Sequence, residues 1–295
     1  MGETGQPSIH DSKSETGLEK LNHVQWSTND YKIFIPTGRT CNVLTPGVYD
    51  ILHSSNIGIY FQKIPINTDN IIRFPDSTSD IIVNEIKSFW EKEHVFKEFN
   101  LLYKRGIILY GPPGGGKSCT IQLIMKDVVE RKGVVIRFTH PSIYNEGMRA
   151  LREIQPDLPV VTIMEDIDST IQCYNESDVL NILDGVNQLN KIVYIATTNY
   201  PEQLGARVIC RPSRFDKRFE IGPPSAAART VYFKHLIAGR DLGEVDLEQW
   251  VRDTEDMSLA HLRELFIAVV ILKNPYRDAV SLLKEMLKEV DVKKY

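Results

Sequence analysis

Cysteine is scarce in this chain. Cys41, Cys119, Cys173 and Cys210 are the only four among 295 residues, none in a CxxC pair and none clustered with histidine. That pattern excludes a cysteine-ligated zinc site and a dense disulfide framework, and leaves reduced thiols as the expectation. A basic excess is lacking too. The 35 Lys and Arg face 39 Asp and Glu, a net charge of -4, so no basic footprint for nucleic acid or an anionic membrane surface stands out. No apolar run approaches the ~20 residues that span a bilayer. The opening "MGETGQPSIHDSKSETG" has no apolar h-region, and Gln6 stands where myristoylation requires Ser or Thr. Neither secretion nor N-terminal acylation is therefore expected. No internal repeat with a period of 20 to 50 residues marks a solenoid.

What is present is a globular composition, with 42% hydrophobic and 25% charged residues, and length enough for about two domains. Residues 1 to 25 are polar and read as a flexible tail. From 26 to 76, "YKIFIP", "GVYDIL" and "IGIYFQKIPI" are short β-branched and aromatic runs between turn residues, a small β-rich module. "DSTSDIIVNEIKSFWEKEHVFKEF" follows, with Ile81, Ile82, Ile86, Phe89, Trp90 and Phe96 near helical spacing. Between 77 and 223 the apolar strands "RGIILYG", "VVIRFT", "VVTIME" and "KIVYIATT" alternate with helical segments, the second a short helix through "MRALREI". Strands that are apolar throughout, each followed by a helix, indicate an α/β domain with a buried parallel sheet. From 224 to 295 four helical segments and no strands indicate a C-terminal helical subdomain.

"GPPGGGKS", residues 111 to 118, follows the strand "RGIILY" directly and fits G-x-x-x-x-G-K-[ST]. Glycines let backbone N–H groups wrap a polyphosphate, and the next helix adds its N-terminal dipole. Gly111, Pro112, Pro113, Gly114, Gly115, Gly116, Lys117, Ser118 and Cys119 form the expected nucleotide-binding set. Lys117 serves the β- and γ-phosphates and the Ser118 hydroxyl serves Mg²⁺. The bland alternative is a flexible glycine-rich turn. "VVTIMEDIDST", residues 160 to 170, puts three carboxylates behind an apolar strand. In a P-loop nucleotidase such a strand ends in the acid that holds hydrated Mg²⁺. Glu165 is the expected metal ligand beside Ser118, and Asp166 the group that polarises the attacking water. Asp168 is expected to cap the next turn or to pair with an arginine.

"GPPGGGKS", "VVTIMEDID" and "IATTNYPEQLGARVICRPSRFDKRFEIGPP" together resemble the AAA ATPases within the AAA+ group, from about Phe74 to the C-terminus. The resemblance implies a parallel five-stranded sheet with a C-terminal helical lid, and ATP with Mg²⁺ as cofactors. "TTN" looks like sensor 1, with Asn199 between water and γ-phosphate. "RPSRFDKRFE" is similar to the second region of homology, so Arg211 and Arg214 match its two arginine fingers, with Ser213 replacing the usual Gly. "AHLREL" resembles a sensor 2 helix and would make Arg263 a γ-phosphate ligand; the alternative is a surface arginine. The Glu-Asp order at 165 and 166 resembles the branch containing the mitochondrial translocase of the folded Rieske protein. That branch carries a transmembrane segment, and the soluble β-rich module here is closer to small AAA ATPases encoded by tailed bacteriophages. "HPSIYNEG" stands where unfolding motors place a pore loop; the aromatic-apolar-Gly triplet is missing, and Ile143 and Tyr144 are the candidates, with His140 as a cap. The implied function is a homo-oligomeric ring, of six subunits by resemblance, that remodels or translocates a protein partner. The alternatives are a nucleic-acid motor or loader and an ATP-binding scaffold. The expected setting is the cytoplasm, the host's if phage-encoded.

Overall fold

A computed structural model describes residues 25–27, 35–37, 40–66, 72–75, 78–184, 189–209, 211, 213–239 and 246–292. The expected tail lies almost wholly outside the described residues. The chain divides into two compact units, Met1–Leu44 and Thr45–Tyr295. In the first, β1 (Gln25–Ser27) pairs antiparallel with β2 (Ile35–Thr37).

The second unit holds a seven-stranded sheet. β3 (Gly47–Ser54) and β4 (Gly58–Ile64) form a hairpin. β5 (Lys104–Tyr110), β6 (Val134–Arg137), β7 (Val160–Met164), β8 (Ile192–Thr198) and β9 (Lys217–Glu220) follow. The order is β4-β3-β6-β7-β8-β5-β9, with every pair parallel except β3–β4. The four strands read from the sequence are β5 to β8, and β9 supplies the fifth that the resemblance implies. β3 and β4 lie within the 26–76 stretch read as a separate module, yet they extend the core sheet. The reason is register: Gly47 to Asp50 pair in parallel with Val134 to Arg137, and Val48, Tyr49 and Ile51 are buried.

Helices cover both faces. α1 (Thr78–Trp90) and α3 (Lys117–Glu130) supply Ile82, Ile86, Phe89, Ile121 and Ile124 to a core with Val135, Val161, Ile163 and Val193. α2 (Glu93–Glu98) lies between α1 and β5. Ile81, counted in the apolar stripe of α1, faces solvent. α4 (Pro141–Ile154), α5 (Ile167–Cys173), α6 (Glu176–Asp184) and α7 (Ala206–Ile209) complete the α/β part. The four expected C-terminal helices are α8 (Ala226–Ile237), α9 (Leu247–Asp253), α10 (Leu259–Phe266) and α11 (Tyr276–Val292). They bury their own core of Phe233, Trp250, Met257, Leu262 and Leu265. Among the described residues no helix is long and apolar enough to cross a membrane.

Candidate functional site

The loop between β5 and α3 has the backbone its glycines permit. Gly111, Gly114 and Gly116 lie at φ 147°, 74° and 108°, a region that costs other residues free energy. A Cβ on Gly111 would stand 2.3 Å from the Ile221 carbonyl oxygen, so the loop packs directly on the chain leaving β9. Lys117 is buried at the start of α3, and its ammonium donates to the Gly111 and Pro112 carbonyls at 2.7 and 2.9 Å. Burial pulls its pKa below the ordinary lysine range, while Asp166 and Asp168 act in the other direction. The charge therefore points into a glycine ring opposite two carboxylates.

Those carboxylates come from the end of β7. Asp166 adopts a left-handed backbone, φ 45° and ψ 58°, which costs an L-residue roughly 1–2 kcal/mol. Its N–H donates to the Thr197 hydroxyl at 3.0 Å, which holds the turn. Asn199, just past β8, donates to Asp166 Oδ1 at 3.5 Å. The structure thus brings Asp166, Asn199 and Lys117 to one edge of the sheet. Among the described residues, Asp168 neither caps a turn through its side chain nor pairs with an arginine. It is buried in the first turn of α5, and its Oδ1 has no hydrogen-bond partner among the described residues.

Glu165 and Ser118 line one cavity of about 280 Å³ with Gln122 and Arg137. A hydroxyl and a carboxylate are the hard oxygen donors that Mg²⁺ takes, so the residues fit that ion. A second cavity of about 180 Å³ lies beside Gly115, Gly116, Cys119 and Thr120, closed by Phe74, Pro75, Pro224, Ala228 and Leu259. Its mostly apolar lid suits a nucleobase. Phe74, Pro75, Ala228 and Leu259 escape sequence reasoning because they are distant in the chain and lie outside the quoted motifs, whereas Pro224 ends the third of them.

The remaining candidates divide. Arg214 is buried; it donates to Asp184 at 2.7 and 3.2 Å and to the Arg207 carbonyl. Arg211 meets the same Asp184 at 3.4 Å but is 63% exposed. Arg263 is exposed on α10 and acts on the Tyr232 phenol, whose ring lies 6.3 Å from Phe74. Tyr144 is not available as a pore residue: it is buried in α4, sharing a 2.7 Å hydrogen bond with Thr162. Helix α4 starts at Pro141, seven residues before the "MRALREI" stretch read as its span, because His140 caps it by accepting from the Ser142 N–H at 3.2 Å.

Residues 107–223 match the AAA family, the ATPase family associated with various cellular activities. The chain is 28% identical over 247 residues to a putative cell division cycle ATPase of Plasmodium falciparum, covering 77% of this chain and 20% of that protein. It is 27% identical over 239 residues to the 26S proteasome regulatory subunit S10B homolog B of Arabidopsis thaliana, covering 75% and 58%. It is 26% identical over 224 residues to the mitochondrial chaperone BCS1 of Homo sapiens, covering 70% and 52%. The chain spans less than two thirds of the length of each of these relatives.

Proposed function

We propose that this chain, whose residues 107–223 form an AAA domain, is a Mg²⁺-dependent ATPase that works as a homo-oligomeric ring and remodels a protein partner. The observation that carries the reading is the meeting of Asp166, Asn199 and the buried Lys117 at one strand edge. Lys117 exchanges its loop carbonyls for the β- and γ-phosphates. Ser118 and Glu165 hold the cation, which would neutralise charge developing on the phosphates. Asp166 accepts the proton of an attacking water that Asn199 orients. Arg211, exposed past β8, serves a neighbouring subunit's site. The protein-partner reading rests on the acidic balance, and on the kinship with a mitochondrial chaperone and a proteasome regulatory subunit. The Glu165–Asp166 order supports a place near the Rieske-translocase-like branch.

The test is a pair of substitutions. Lys117→Ala should lose nucleotide binding. Asp166→Asn should keep ATP bound and slow hydrolysis by about 10²-fold or more, the range of a positioned general base. Calorimetric titration with ATP and a phosphate-release assay separate the two. Normal turnover in Asp166→Asn, with trapped ATP in Glu165→Gln, would exchange the roles of the two acids.

A further inference from the structure

The edge of the sheet beside the phosphate loop carries a charge row that the proposed chemistry does not use. Asp50 of β3 is paired in register with Arg137 of β6, and Arg137 with Ile163 of β7. Alternate residues of a strand share a face, so Asp50 and Arg137 stand on the face that carries Ile163, which packs with Ile121 and Ile124 of α3. Glu165 follows two residues after Ile163 and lines the same cavity as Arg137 and Ser118. Arg137 Nε and Nη2 donate to the two oxygens of Asp50 at 2.8 and 2.6 Å. Its pKa is raised, first by that hydrogen bond and further by the charges of Asp50 and Glu165. The guanidinium is thus held by the carboxylate of the hairpin and shares a cavity with the carboxylate at the cation site.

We propose that the Asp50–Arg137 pair sets how strongly Glu165 takes its cation, so that the β3–β4 hairpin tunes the hydrolytic site. The proposal rests on the reading of Glu165 as the Mg²⁺ ligand. A guanidinium grips a carboxylate through two parallel charge-assisted bonds, and one such grip excludes another of the same geometry. While Asp50 holds both nitrogens, Glu165 keeps its oxygens for the cation and most of the positive charge is neutralised. If the hairpin shifts, Arg137 turns to Glu165 and competes with the cation directly.

The test uses the full chain and a fluorescent N-methylanthraniloyl ATP, titrated with and without Mg²⁺. Asp50→Asn should leave metal-free binding within about twofold and raise the Mg²⁺ midpoint about tenfold, a common size for coupling between sites. Arg137→Met should lower that midpoint, and Asp50→Asn with Arg137→Met should return it to the wild-type value or below. Opposite shifts from the two halves of one ion pair separate this role from a structural one, which would lower the melting temperature in both variants and leave the midpoint alone. Shifts of the same sign, or none, overturn the proposal while Glu165→Gln still raises the midpoint. If Glu165→Gln leaves the midpoint unchanged, the ligand reading of Glu165 fails and takes this proposal with it.

Discussion

Asp184 shows how one carboxylate gives two neighbouring arginines different work. Arg214 lies against it with 7% of its side chain exposed and Arg211 with 63%. A buried charge that loses its partner typically costs 3–5 kcal/mol, whereas an exposed pair contributes about 0–1 kcal/mol. Arg214→Ala should therefore lower stability by up to about 3 kcal/mol, because it removes a buried two-pronged grip on Asp184 and the bond to the Arg207 carbonyl. Arg211→Ala should change stability by less than about 1 kcal/mol while removing activity from the assembled protein. Urea unfolding of the two variants checks the contrast; equal losses would mean that the burial difference has no energetic content. Sequence made both arginines visible as a motif. It did not separate them, because the difference depends on Asp184, some thirty residues earlier at the end of α6. Asp166 was similarly visible by its place after β7, but its left-handed backbone and the Thr197 hydroxyl that holds it were not.

Elements were legible where their pattern was long and one-sided. The core strands β5 to β8 carry mostly apolar runs that helices cover on both faces, and α10 and α11 carry clear helical periodicity. β9 was missed as a strand. Its residues, "KRFE", expose three charged side chains and bury little, since it pairs only with β5 at the sheet edge. The beginning of α4 was missed because its first turns carry Ser142, Asn145 and Gly147, which read as loop. Gly147 has a packing reason instead. A Cβ there would stand 2.3 Å from Ile51 Cγ2 of β3. Helix propensity alone favours Ala over Gly by about 1 kcal/mol, and overpacking costs roughly 1–3 kcal/mol. Overpacking should win, so Gly147→Ala is expected to destabilise the fold and loosen the hairpin. Thermal unfolding gives the sign; stabilisation would show that Ile51 yields freely and that α4 does not depend on close approach to β3. Lid and loop are joined in the same direct way. The Leu259 N–H at the start of α10 donates to the Gly114 carbonyl at 3.1 Å, and Gly114 leaves no room for a side chain beside Ser258.

At the scale of the whole molecule, the proposed function needs a second chain. Lys117, Asp166 and Asn199 come together, and Arg211 lies apart from them, exposed and loosely held by Asp184. An arginine that meets charge developing on a transferring phosphoryl group is worth about 10³–10⁵ in rate. If Arg211 supplies that charge to a neighbour, the contact is head-to-tail, and such contacts close into rings or run on as filaments. Two measurements follow from this geometry. Specific activity should rise with protein concentration and level off once assembly is complete. Mixing inactive Lys117→Ala with inactive Arg211→Ala should restore part of the hydrolysis, since some interfaces then join an intact loop to an intact finger. Arg214→Ala should complement less well than Arg211→Ala, because its loss damages the subunit that must present the loop. Activity that is independent of concentration, with no rescue on mixing, would mean that each chain completes its own site, and Arg211 would then have no catalytic role.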